Sequence, residues 1–258
     1  SHLRRVLDPA GGSWAIERLT RDLMASAWER LQEIERAGGM VAALRAGAVQ
    51  KMLAATRARR AKALATRRLQ LTAVSEFPDP GEAAVPAPVS ARAIGDGRSD
   101  PIEPLVAHRL AEPFEALREC ANRLTQAGGR RPAVFIAALG TLAEHRARVL
   151  WARNLLAVGG ITTVEGEGGR DIAAIVAAWR ASGCHEAVIV GPDALYAELA
   201  ARLATGLKAA GARYLALAGK PDADMATWRA AGIDEVIFHG MDIVAFLENM
   251  LERMEAAS

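Results

Sequence analysis

Ala133-Val134-Phe135-Ile136-Ala137-Ala138-Leu139-Gly140-Thr141-Leu142-Ala143-Glu144-His145 reads as a buried strand, a tight turn and the first turn of a helix. Every residue between Pro132 and Gly140 is apolar, the pattern of a strand covered on both faces. Open α/β sheets bind ligands where such strands end and their helices begin, so chemistry should show itself in this turn. The turn is chemically quiet. It has no Gly-rich phosphate loop, no metal-ligand pair and no nucleophile beside a base. Its ionisable groups are Glu144 and His145, which as sequence neighbours point about 100° apart around a helix.

Working outward toward the C-terminus, the same strand-then-helix pattern recurs. Helix Leu142–Val158 closes at Gly159-Gly160. Strand Ile161–Val164 leads through Gly166 to Gly169 into helix Asp171–Ser182, with Asp171 as its cap. Strand Ala187–Val190 is followed by Gly191-Pro192-Asp193 and helix Ala194–Ala210. Strand Arg213–Ala218 is followed by Gly219-Lys220-Pro221 and helix Ala223–Ala231. Strand Glu235–Phe238 is followed by His239-Gly240 and helix Asp242–Glu255. Five such units with short loops predict an α/β, flavodoxin-like fold: a five-stranded parallel sheet in the order 2-1-3-4-5 with helices on both faces.

Toward the N-terminus the strands disappear. Ile16, Leu19, Leu23, Ala27, Leu31 and Ile34 recur at threes and fours, an amphipathic helix from Ile16 to Ala37 closed by Gly38-Gly39. A short helix, Met40–Ala46, follows. A third, Val49–Leu69, carries Lys51, Arg57, Arg59, Arg60, Lys62, Arg67 and Arg68, and reads as a solvated basic face. No aromatic residues are interleaved there to stack bases, which argues against nucleic acid. Phe77 to Pro104 is Pro-rich without apolar period and reads as an extended linker. Pro113–Ala127 is helical again. The expected division is a helical segment at 1–75, a linker at 76–107, a connecting helix at 108–130 and the α/β domain at 131–258.

Composition sets the outer bounds. Of 258 residues 51% are hydrophobic, ample for a core. A net charge of +2 gives no global electrostatic case for nucleic acid or membrane. Two cysteines, Cys120 and Cys184, are too few for a disulfide framework. No apolar run approaches the roughly 20 residues of a membrane span, and no signal peptide opens the chain. A cytoplasmic protein is expected. The start at Ser1, without Met, suggests a fragment or a processed chain.

The strand ends exclude several chemistries. A phospho-receiver domain needs acidic residues after the first strand, where Leu139-Gly140 stand instead. A dinucleotide site needs G-x-G-x-x-G there. A flavin phosphate site needs a first loop rich in Ser, Thr and Gly. Gly166-Glu167-Gly168-Gly169 is a flexible loop rather than a phosphate cradle, because Glu165 and Glu167 would repel an anion. The histidines, His2, His108, His145, His185 and His239, form no i, i+4 ligand pair. His145 and His239 both lie near strand ends, where a joint site is imaginable, but solvated or hydrogen-bonded loop histidines are the commoner reading. Trp151, Trp179 and Trp228 fall within helices as core or interface anchors.

Asp8-Pro9-Ala10-Gly11-Gly12-Ser13-Trp14, with Glu17-Arg18-Leu19-Thr20 and Glu33-Ile34-Glu35-Arg36-Ala37-Gly38-Gly39-Met40, resembles the end of the substrate-binding barrel of the methylmalonyl-CoA mutase family. Arg109 to Arg118 is similar to the segment before that family's cobalamin-binding domain. The resemblance covers nearly the whole chain. It implies, after the first strand, a D-x-H-x-x-G motif whose His binds cobalt, whose Asp orients the His, and whose Gly lets the cofactor's nucleotide tail pass. Here Leu142 stands at the Asp, Glu144 at the His and Ala147 at the Gly. The family's S-x-L after the third strand becomes Gly191-Pro192-Asp193, and its Gly-Gly after the fourth becomes Ala218-Gly219. His145 lies one place away from the ligand position.

A degenerate cobalamin-binding-like domain resembles that of the family's small, non-catalytic subunit, as do Cys184 to Glu198, Ala209 to Ala212 and Leu217 to Pro221. The implied role is a passive partner of a large catalytic subunit in a heterodimer. This chain would then have no catalytic residue and no bound cofactor or metal, and adenosylcobalamin would sit in the partner. Only the final segment of the barrel is represented, so an upstream portion is expected from elsewhere. Two alternatives stand beside this reading. One is a cobalamin-binding component that uses His145 or His239 as a displaced ligand. The other is a free-standing regulatory module with a small ligand at the strand ends.

Overall fold

The computed structural model describes residues 2, 5–79, 81–82, 102–221 and 224–256. Most of the stretch expected to be a Pro-rich linker therefore lies outside the described residues. The chain divides into two compact units, one from residues 1–58 and 89–107, the other from 59–88 and 108–258.

In the second unit five parallel strands form one sheet: β1 (Ala133–Ala138), β2 (Thr162–Glu165), β3 (Glu186–Val190), β4 (Tyr214–Ala218) and β5 (Glu235–Ile237). Their order is β2-β1-β3-β4-β5, as the alternation of elements predicts. Strand period sorts each side chain to one of two cores. Val134, Ile136, Val188, Val190 and Ala216 face a layer made by α4 (Glu112–Gly128), α5 (Leu142–Val158) and α10 (Ile243–Ala256). Phe135, Ala137, Ala187, Ile189, Leu215 and Leu217 face α6 (Ile172–Ser182), α8 (Ala201–Ala209) and α9 (Met225–Ala230). The three central strands are buried almost throughout, which is why they read as continuous apolar runs. Helix α6 starts where Asp171 accepts hydrogen bonds from the Ala173 and Ala174 N–H groups, at 2.9 and 3.3 Å.

Two features differ from the sequence reading. The helix at 108–130 is a full member of the core layer: Phe114, Leu117 and Ala121 of α4 are buried against the sheet side that α10 also covers. The basic helix α3 (Ala48–Ala65) stops short of Leu69, because the chain turns at Arg67 with φ 57°. Arg67 is not on a solvated face. It is buried and ion-paired with Glu76, whose other carboxylate oxygen accepts from Asn154 Nδ2 at 2.8 Å. Asn154 also accepts from the Phe77 N–H at 2.9 Å, so segment 67–77 is buckled onto α5.

The first unit carries α1 (Trp14–Arg36) and α2 (Gly39–Arg45), and α3 begins in it. Helix α1 has the expected amphipathic pattern, yet none of its residues is buried. Trp14, Leu19, Leu23, Trp28 and Leu31 are all exposed. Gln50 ties α3 to the described end of this unit through the Leu44 and Glu103 carbonyls, at 3.2 and 2.9 Å. No helix among the described residues is long and apolar enough to cross a membrane.

Candidate functional site

The C-terminal ends of the strands form a lip with a closed side and an open side. On the closed side, β1 leaves the sheet at Gly140, whose φ of 87° suits glycine. The Gly140 N–H donates to the Gly169 carbonyl at 2.8 Å, and the Gly169 N–H donates to the Ala138 carbonyl at 3.2 Å. The Gly-rich loop is thus stitched to the end of β1, not free as its composition suggested. Thr141 and Glu144 then start α5 with a capping box. Glu144 Oε2 accepts from the Thr141 N–H at 2.7 Å and lies 2.9 Å from its hydroxyl. Those donors hold the Glu144 carboxyl below the usual carboxylate range.

His145 turns inward. Its Nδ1 lies 3.3 Å from the Gly140 carbonyl oxygen, and the side chain is 3% exposed. Gly168 makes room for it, since a Cβ there would come within 2.7 Å of His145 Cε1. Leu142, by contrast, is exposed.

Between β1, β3 and β4 the lip is filled by side chains. Helix α7 (Asp193–Leu195) continues through a π-helical turn, Tyr196–Ala200, into α8. The turn directs Tyr196 under the lip, where its hydroxyl donates to the Ala218 carbonyl at 2.5 Å and accepts from the Gly191 N–H at 2.8 Å. Burial pushes the Tyr196 phenol up to about 12. Its ring meets Trp228 edge-on, with centroids 6.1 Å apart. Arg148 of α5 caps the arrangement. Its guanidinium sits 5.3 Å from the Tyr196 ring centroid, donates to Asp193 Oδ1 at 2.8 Å, and donates to the Gly191 carbonyl. Gly191 and Gly219 are glycines for space: a Cβ would approach Leu139 to 2.8 Å at the first and Tyr196 to 2.9 Å at the second.

The open side is a cavity of about 760 Å³ between α5 and the ends of β4 and β5. Glu144, Ala147, Gly191, Gly219 and His239 all reach its wall, so the structure brings together five of the positions singled out in the sequence. Leu142 and His145 are not among the residues lining it. His145 and His239 therefore do not share this cavity. Four lining residues carried no sequence signal of a site: Arg148, Trp151, Ile237 and Phe238.

The cobalamin site that the resemblance implies would present an imidazole at this lip with a carboxylate behind it. At the first of these positions Glu144 is a carboxylate already tied to Thr141, and at the second Leu142 is aliphatic. The nearest imidazole, His145, is buried against Gly140 and Gly168. Among the described residues, no three His, Cys, Asp or Glu side chains are grouped to hold a metal ion. The side chains present do not fit the group.

Comparison with known proteins places the chain in a family. Residues 1–149 match the family model described as methylmalonyl-CoA mutase. The chain belongs to the methylmalonyl-CoA mutase family. It is 45% identical over its whole length to the methylmalonyl-CoA mutase small subunit of Streptomyces virginiae. It is 38% identical, over 99% of its length, to the small subunit of Propionibacterium freudenreichii subsp. shermanii. Both alignments cover 39% of the relative, so the chain spans about two-fifths of their length. A shorter match reaches the large subunit of methylmalonyl-CoA mutase from Streptomyces virginiae, 46% identical over 59 residues. The likeness to small mutase subunits thus runs from end to end of this chain, whereas the likeness to a large subunit covers 21% of it.

Proposed function

We propose that this chain is a C-terminal part of the non-catalytic small subunit of an adenosylcobalamin-dependent methylmalonyl-CoA mutase. In this reading residues 131–258 are a degenerate cobalamin-binding-like domain, and residues 1–75 belong to the end of a barrel. The large subunit holds the cofactor and interconverts methylmalonyl-CoA and succinyl-CoA. The present chain supports it in the cytoplasm as a folded partner, without nucleic acid or membrane. The observation that carries the reading is the end-to-end likeness to small subunits, together with a lip whose ligand position is a capping glutamate.

The physical argument for a supporting role is that the lip is built for stability. Thr141 and Glu144 cap a helix, Tyr196 bonds two backbone groups of neighbouring loops, and Arg148 pairs with Asp193. Each group that could hold a cofactor at the closed side is already used in holding the fold. Titration with adenosylcobalamin followed by gel filtration tests this. The expected result is no retained corrinoid and an unperturbed cofactor spectrum, with co-purification of a large subunit when the two are expressed together. Stoichiometric cobalamin with a histidine as its lower ligand would overturn the proposal.

A further inference from the structure

The opposite edge of the sheet, where the strands begin, carries a smaller hollow of about 330 Å³. It lies between the starts of β1, β3 and β4 and the last turns of α4 and α10. In its wall stands Glu186, the first residue of β3, only 6% exposed. Strand period turns Glu186 to the side of Val188 and Val190, toward α4 and α10. Burial pushes its carboxyl up, against the pull of Arg213. No hydrogen bond from another residue reaches that carboxyl among the described residues. A buried acceptor without a donor is costly, and a donor brought into the hollow would answer it. Gly128 at the end of α4 and Gly183 at the C-cap of α6 border the same space. Helix C-termini carry partial negative charge, so this part of the hollow favours a cation. The mouth has the other sign. Arg130 and half-buried Arg131, which lead from α4 into β1, line it and form no hydrogen bond or ion pair among the described residues. Leu124 and Met254 complete the wall with apolar surface. A simple anion would meet Glu186, and a simple cation would meet the arginines. A ligand that carries both charges meets neither conflict.

We infer that the hollow at the strand starts binds a small zwitterion, an α-amino acid with an apolar side chain. The ammonium group donates to Glu186, and the carboxylate accepts from Arg130 and Arg131, whose guanidinium forks match its two oxygens. The side chain lies against Leu124 and Met254. A hollow of this size stands at the small end of ligand cavities, which suits a ligand of that size. The site is at the far edge of the sheet from the lip, and binding needs no large subunit. Failure here leaves the supporting role standing, and failure of co-purification leaves this site standing.

The experiment is calorimetric titration of the full 258-residue chain, with amide NMR to locate the site. The probes are L-valine, L-leucine and L-methionine. Each has two controls: the carboxylic acid that lacks the amine, and the amine that lacks the carboxylate. At least one amino acid should bind saturably and shift the amide signals of Arg131, Glu186 and Met254. Its two controls should each bind about tenfold or more weaker. Glu186→Gln keeps the side-chain volume, and Arg131→Ala changes only the mouth. Each should weaken the preferred amino acid about tenfold, with the rest of the amide spectrum unchanged. Three results would overturn the inference. They are no saturable binding of any of the three amino acids up to about 10 mM, a control that binds as tightly as its amino acid, and wild-type affinity in both variants.

Discussion

Helices α1 and α10 are both amphipathic, and they end up in opposite situations. Helix α10 buries Ile243, Phe246, Leu247, Met250, Leu251 and Met254 against the sheet. Helix α1 is longer, carries two tryptophans, and buries nothing. An apolar stripe stabilises a fold only when water is removed from it, so the same pattern is core in one helix and open surface in the other. A stripe of that size left open is a surface that expects cover. The relatives are more than twice the length of this chain, and the proposed large subunit is a further source of surface.

The largest expected effect breaks this symmetry directly. Phe246→Ala should cost about 3–5 kcal/mol of stability, because it leaves a cavity in a packed core. Trp28→Ala should stay within about 0.5 kcal/mol of wild type for this chain alone. Urea denaturation of both variants checks the pair. Equal losses would mean that α1 is covered within this chain. Under the supporting-subunit proposal, Trp28→Ala should instead reduce capture by the large subunit.

Next in size is Tyr196→Phe. It removes both hydrogen bonds of the hydroxyl and leaves the Gly191 N–H and one lone pair of the Ala218 carbonyl unanswered beneath the lip. A loss of about 1–3 kcal/mol follows. Amide exchange at Gly191 and Gly219 should rise in this variant. Unchanged exchange would show that Tyr196 does not hold the closed side together. Smaller again is Asp171→Ala, about 1 kcal/mol for one lost helix cap, read as a lowered Tm.

These residues also show what a sequence displays and what it hides. The sheet order and most helix boundaries were legible because they rest on local signals: apolar runs, terminal glycines, and Asp171 standing just before Ile172. Leu142, Glu144 and Ala147 were singled out by the family resemblance, not by any such local signal. Tyr196 was not legible, since its partners Gly191 and Ala218 meet it only through a π-helical turn and the pairing of β3 with β4. Arg148 and Asp193 lie 45 residues apart. Arg67 read as one more solvated arginine because Glu76 and Asn154 reach it only once the chain turns at φ 57°. Long-range polar contacts of this kind leave no period in the sequence, and they decide which side of the lip is closed.

The smallest expected effects are electrostatic, and they have opposite signs in the interior and at the rim. Glu186, buried at the start of β3, has its carboxyl pushed up by burial, against the pull of Arg213. A group whose folded value lies above its unfolded one contributes stability below the unfolded value, and that stability is lost as pH rises through the folded value. Glu186→Gln removes this loss, so the variant should gain Tm relative to wild type at pH 8 and give up that gain near pH 4. Glu144 runs the other way. The Thr141 N–H and hydroxyl lower its folded value, so its contribution is present at neutral pH and disappears as pH falls through that value. Glu144→Gln should therefore lower Tm slightly at pH 7 and not at pH 3. If both variants moved Tm in the same direction at neutral pH, the contrast between a carboxylate trapped in the core and one bonded at its edge would fail.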